Sequence, residues 1–304
     1  MEAETNIRQW YYRGSLKTCN YHCSYCPFSK HPKTGKEELA RDEQNLVRFV
    51  DYLIENYDKI SYDKISHDIG KCAVLVVPYG EALIHTYYWR ELARLSCSAS
   101  IEAVGAQTNL SFPVEKMLAI YKNSQGKLEK LRLWGTFHPQ QTTMEEFLAQ
   151  CQALVKNGIT MCVGAVGVSE NIAILRKLRA LLPENIYLWI NKMDGLKRSY
   201  TKEEIQAFLE IDTYFEEELK VHNADVRKCA GSCFVESDGT MYPCNLCKQS
   251  IGNLYQNGIN DIDTARYCTR KYCSCYLAYC NQNEPERQAF HPYPAFRIPN
   301  IILS

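Results

Sequence analysis

Apolar positions along the chain follow two periods in turn. Short apolar or alternating runs at Ile7–Tyr12, Cys72–Val77, Ile101–Ala106, Lys130–Phe137, Thr160–Gly167 and Ile186–Asn191 each predict a β-strand. The run CAVLVV carries no polar position, the pattern of a strand buried on both faces. Between these runs the spacing becomes helical. Glu37–Asn56 gathers Leu39, Leu46, Phe49, Val50, Leu53 and Ile54 on one face with charges opposite. Further helices are predicted at Tyr87–Ser96, Val114–Asn123, Thr143–Asn157 and Glu170–Leu182, the third of these capped by Thr142 or Thr143 with Glu145 and Glu146 in its first turn. Six strands alternating with helices imply an α/β fold with parallel strands and right-handed crossovers. Six units suit an open, partial (β/α)6 TIM-like barrel better than a closed eight-stranded one. In such folds chemistry sits at the C-terminal ends of the strands. The polar loop after the first strand, holding Cys19, Cys23 and Cys26, therefore falls at the mouth.

The alternation stops near residue 228. Residues 229–280 form a small cysteine-rich extension, turn-rich and too lean in apolar residues for much core of its own. A metal is the usual substitute for a core in such a segment. The last stretch, 281–304, interleaves proline with aromatics and reads as an extended tail lying over the domain. Three units follow: a core over 1–228, an extension over 229–280 and the tail.

Charge narrows the partners. Lysine and arginine number 35 against 35 aspartate and glutamate, so a phosphate-tracking surface and nucleic-acid binding are not expected. The polar N-terminus and the lack of an apolar run near 18 residues predict a cytoplasmic chain without a membrane span. Fifteen cysteines in such a chain point to metal or redox chemistry rather than disulfides. Three lie within positions 19–26 and eight within 229–280, while Cys72, Cys97, Cys151 and Cys162 read as small buried hydrophobes.

The segment Cys19-Asn-Tyr-His-Cys23-Ser-Tyr-Cys26 can present three thiolates to one face of a cubane cluster and leave its fourth iron open. An open metal position is a catalytic position. A zinc loop is the bland alternative. The Cys-x3-Cys-x2-Cys spacing, with aromatic Tyr25 before the third cysteine, resembles the radical S-adenosylmethionine (SAM) superfamily. That resemblance implies a 4Fe–4S cluster on Cys19, Cys23 and Cys26, and SAM held by the loop Pro78-Tyr79-Gly80-Glu81-Ala82 after the second strand. Gly80 and Glu81 would take the SAM amino group through backbone carbonyls and carboxylate. Tyr79 stands where the family usually has a glycine. Asn109 matches a position near the ribose and Val168 one beside the adenine. His138, closing the fourth strand, would orient the SAM carboxylate or a substrate, or is simply a histidine beside a proline.

Cys229-x9-Gly239-x4-Cys244 resembles the opening of SPASM and Twitch domains, the auxiliary-cluster extensions of that superfamily. Ser237-Asp238-Gly239-Thr240 is itself a hairpin-turn signal. The resemblance assigns an auxiliary 4Fe–4S cluster to Cys229, Cys244, Cys273 and Cys275, with structural zinc as the alternative. Cys247 is a candidate hydrogen donor to a substrate radical. The implied activity is reductive cleavage of SAM to a 5′-deoxyadenosyl radical that abstracts hydrogen from a peptide or small molecule. An external electron donor such as flavodoxin or ferredoxin would supply the electron. A non-catalytic metal-binding interaction protein on the same fold is the reading from a different class.

Overall fold

The computed structural model describes residues 8–26, 28, 33–62, 72–223, 232–257, 270–273, 288–290, 292–293 and 296–299. The core is a mixed α/β unit. Strands β1 (Arg8–Arg13), β2 (Cys72–Val76), β3 (Ile101–Thr108), β4 (Leu131–Phe137), β5 (Thr160–Val166) and β6 (Leu188–Asn191) lie side by side in chain order, all parallel. Helices α1 (Lys36–Tyr62), α2 (Thr86–Cys97), α3 (Val114–Asn123), α4 (Met144–Lys156) and α5 (Ile172–Leu181) connect them. After β6 come α6 (Lys202–Leu209) and α7 (Phe215–Leu219). Thr143 opens α4 and Thr201 opens α6, each with a reciprocal capping box closed by Glu146 and Glu204.

The alternation of side chains along each strand separates two cores. Tyr12, Val74, Val76, Leu133, Val163 and Ile190 face the helices and share one buried cluster with Leu46, Phe49, Val50 and Leu92. Tyr11, Ala73, Leu75, Ala103, Trp134, Cys162 and Trp189 face the other way. A sheet flanked by helices on one side needs a second cover, because an apolar face left in water costs about 25 cal/mol per Å². The chain's own C-terminal segment supplies it: Phe290, Tyr293, Phe296 and Ile298 are buried in this inner cluster. The proline–aromatic pattern predicts a tail over the domain, and the described tail residues line the inner face of the sheet. Gly105 makes the room, since a Cβ there would stand 2.6 Å from the Phe296 ring.

The strand pattern also continues past residue 228. β7 (His222–Asn223) pairs antiparallel with β11 (Tyr272–Cys273). β8 (Ser232–Glu236) adds to the sheet parallel to β1, and β9 (Thr240–Tyr242) and β10 (Gly252–Asn253) extend it antiparallel. The predicted turn at 237–240 is the β8–β9 hairpin. Gly239 takes φ +88° and Asp238 Oδ1 accepts from Thr240 N at 2.8 Å. Short local runs gave no period long enough to register these strands. Cys72, Cys151 and Cys162 are buried, as expected; Cys97 is exposed at the end of α2. Among the described residues no helix is long and apolar enough to cross a membrane.

Candidate active site

The C-terminal ends of β1 to β6 form a rim of half-buried residues, Arg13, Gln107, Thr136, Val166 and Asn191, above the sealed inner core. The cysteine loop crosses this rim from β1. Its sulfurs receive N–H groups: Tyr21 N donates to Cys19 Sγ at 3.4 Å, and Phe28 N to Cys26 Sγ at 3.4 Å. Asn109 Nδ2 approaches Cys19 Sγ at 3.8 Å. Donors aimed at sulfur suit thiolates. Burial pushes the Cys23 thiol up to about 11 and raises Cys19 as well; metal coordination reverses that, because a ligating thiol is deprotonated outright. Among the described residues no three His, Cys, Asp or Glu side chains stand close enough for one ion. A cubane asks for wider spacing, since each sulfur ligates a different iron. Three cysteines on one loop are a donor set that suits a 4Fe–4S cluster.

Neighbouring loops hold it in place through side chains. After β4, Gln141 Oε1 accepts from His22 N at 3.0 Å and Gln140 Oε1 from Ser24 Oγ at 3.2 Å. Tyr25 OH meets His138 Nδ1 at 2.9 Å, with the rings stacked at 5.9 Å. Burial lowers His138 to about 4 and pushes Tyr25 well above its ordinary value, so at neutral pH a neutral phenol meets a neutral imidazole. His138 thus steadies the cysteine loop.

The loop after β2 is fastened equally tightly. A Cβ on Gly80 would lie 1.8 Å from Thr18 O, so only glycine lets this loop lie against the cysteine loop. Glu81 N donates to that same carbonyl at 3.0 Å. The Glu81 carboxylate is buried; Oε1 accepts from Leu83 N at 3.1 Å and Thr108 Oγ1 at 2.8 Å, and Oε2 from Asn109 N at 2.5 Å. Burial raises it to about 7 against the pull of those donors. It staples the β2 loop to the end of β3. Asn109 in turn donates from Nδ2 to Asn20 Oδ1 at 3.0 Å. Tyr79 occupies no space at that close approach. Its ring lies 4.5 Å from the Arg13 guanidinium, which also donates to Val77 O and to Asn245 Oδ1 at 2.8 Å.

Val168 follows β5, where Gly167 N donates to Asn191 O at 2.7 Å and Tyr200 OH to Gly167 O at 2.7 Å. These bonds clamp the ends of β5 and β6. Gln140, Gln141, Thr108 and Arg13 escaped the sequence reading, although each lies at or just past a strand's C-terminal end, the one position rule that would have found them.

The C-terminal candidates are described in part. Cys244 and Cys247 are half-buried after β9, Cys273 is buried on β11 in the inner cluster, and Cys233 packs on the helix side. Cys229 and Cys275 lie outside the described residues.

Neither a protein-family model nor a curated protein matches this sequence. Solved structures share its fold. Native anSMEcpe with bound AdoMet and the Cp18Cys peptide is 15% identical, covering 86% of this chain and 82% of that one at a TM-score of 0.54. A histidine-tagged form of anSMEcpe with bound AdoMet is 14% identical over 91% and 83%, at 0.55. SuiB of Streptococcus suis bound to S-adenosylmethionine is 11% identical over 88% and 65%, at 0.50. The chain has the fold of these AdoMet-bound proteins.

Proposed function

We propose that this protein is a radical SAM enzyme. The observation that carries the reading is the three-cysteine loop at the C-terminal strand ends, its sulfurs met by N–H donors, on a fold shared with AdoMet-bound proteins. Cys19, Cys23 and Cys26 would hold a 4Fe–4S cluster, which when bound supplies the electron that cleaves SAM into methionine and a 5′-deoxyadenosyl radical able to abstract hydrogen. The rest falls to the chain. The backbone of Gly80 and the carboxylate of Glu81 would receive the SAM amino group. The three donors already on Glu81 fix where its remaining lone pairs point. Asn109 would stand by the ribose and Val168 by the adenine, while Tyr25 and His138 hold the cysteine loop rigid.

The unit over 1–228 would carry catalysis in a partial (β/α)6 barrel, with 229–280 as a SPASM/Twitch-like extension. Cys229, Cys244, Cys273 and Cys275 would bind its auxiliary 4Fe–4S cluster. Cys247, half-buried beside them in sequence, is the candidate donor that quenches a substrate radical. A peptide or small molecule would be the substrate, and a flavodoxin or ferredoxin the electron source.

The test is anaerobic reconstitution with iron and sulfide, followed by dithionite and SAM. Formation of 5′-deoxyadenosine is expected. A fully reconstituted protein that leaves SAM intact would favour the non-catalytic metal-binding alternative.

A further inference from the structure

The inner face of the sheet holds a buried charge that the proposed chemistry does not use. Arg297 is fully buried, its guanidinium 3.7 Å from the Trp189 ring centre and 4.6 Å from that of Trp134. Nη2 donates to Glu218 Oε1 at 2.9 Å. Its backbone takes φ +53°, a left-handed conformation that a bulky residue adopts only where its surroundings enforce it. They do: Trp189 Nε1 donates to Arg297 O at 3.1 Å, and Cys162 Sγ donates to Phe296 O at 3.2 Å. A plain apolar plug would seal the sheet as well without the cost of burying an ion pair.

The same Glu218 oxygen accepts from Asn191 Nδ2 at 2.9 Å. Asn191 ends β6 on the face shared with Trp189 and is half-buried at the rim. A carboxylate only accepts, so the contact turns Nδ2 toward Glu218 and leaves Oδ1 on the other side of the amide. Arg297 holds the Glu218 carboxylate where Asn191 meets it. We propose that Arg297 is a positioning residue: acting through Glu218, it fixes the Asn191 amide so that Oδ1 is presented at the mouth as an acceptor for SAM, which makes the C-terminal segment part of the site.

This rests on the radical SAM reading, and the experiment separates the two. Arg297→Met alone would take the guanidinium away from a buried carboxylate and risk unfolding, so the pair Arg297→Met/Glu218→Gln is used. In the reconstituted full chain, Asn191→Ala should weaken SAM binding about three- to tenfold, the loss of one hydrogen bond. The pair variant should weaken it comparably with Asn191 intact, and the triple variant no further than Asn191→Ala. In the chain without cluster, labelled with 15N-asparagine, the Asn191 side-chain amide should exchange slowly with solvent and speed up at least tenfold in the pair variant. Wild-type SAM affinity in the pair variant, multiplying losses in the triple, or unchanged amide exchange would overturn the proposal. If the wild-type reconstituted chain binds no SAM, the function reading and the acceptor role fall together; unchanged exchange beside intact SAM binding removes the Arg297 link alone.

Discussion

The two ends of the sheet's inner face are built from different chemistry. At the C-terminal ends of the strands, the loops are joined by single polar contacts: Gln141 to His22 N, Tyr25 to His138, Asn109 to Asn20. Toward the N-terminal ends, the face is closed by aromatic packing. Phe290 stands 4.9 Å from Trp189, 5.3 Å from Tyr187 and 5.5 Å from Tyr214, and Tyr293 OH donates to Glu102 at 3.2 Å. Each polar contact contributes only about 1 kcal/mol net, whereas a buried aromatic ring contributes several. Stability is thereby concentrated where nothing needs to enter, and the mouth keeps geometry at low cost in burial. A site that must admit a ligand cannot be filled by its own side chains.

Mutations at the two ends should therefore separate activity from stability. The largest effect on chemistry belongs to the mouth. Replacing Cys19, Cys23 and Cys26 together by Ala should remove about four irons per chain and abolish 5′-deoxyadenosine formation. The urea midpoint of the apo chain should barely move, because only Cys23 of the three is buried. Retained SAM cleavage would break the assignment. The floor behaves oppositely. Phe290→Ala empties a site 1% exposed and should cost about 3–5 kcal/mol in urea unfolding, leaving iron content after reconstitution unchanged. A stable Phe290→Ala protein that fails to take up iron would erase the division between the ends.

A buried carboxylate sharpens the comparison through pH. Asp212 lies beneath β6 and accepts from Ile190 N at 2.8 Å, Tyr187 OH at 2.7 Å and Tyr214 N at 2.9 Å. Burial nevertheless raises it to about 6. Its folded form holds its proton longer than the unfolded chain does, so the group stabilises the fold at low pH and loses that contribution as pH rises from about 4 to about 6. Relative to Asp212→Asn, wild-type stability should decline across that window by about 3 kcal/mol. A flat difference would show that the three donors balance burial, and a rise with pH that they outweigh it.

Much of this fold was legible in the chain, and the reasons are local. Period 3.6 and period 2 are set by contacts within an element, so β2 and α4 were readable almost to the residue. The mouth followed from a rule of topology, which put Cys19, Gly80 and Asn109 at neighbouring strand ends before any geometry was known. Other features were not legible because they depend on contacts distant in sequence. β8 is a strand because Tyr11 stacks on Phe234 at 4.5 Å, across more than 200 residues. The tail enters the sheet because Gly105 leaves space for Phe296, and no period in residues 281–304 reports a vacancy in β3. Glu81 illustrates the same limit inside the site. Its placement at the end of β2 was readable, but its three donors from two loops were not.

The smallest predicted effect tests whether the polar contacts at the mouth act singly. Tyr25→Phe deletes the hydroxyl that meets His138 Nδ1 and leaves the imidazole's buried nitrogen without that partner. The loss should be about 1–2 kcal/mol in the stability of the loaded loop, read as an about five- to thirtyfold faster loss of iron to a chelator. Fold stability of the apo chain should stay within about 0.5 kcal/mol, since the floor carries that burden. His138→Phe removes the other partner and stacks in its place. If the bond alone matters, Tyr25→Phe/His138→Phe should lose iron no faster than Tyr25→Phe, because the orphaned nitrogen is gone. Additive losses would mean that His138 also steadies the loop through Tyr21, whose ring meets it edge-on at 5.9 Å.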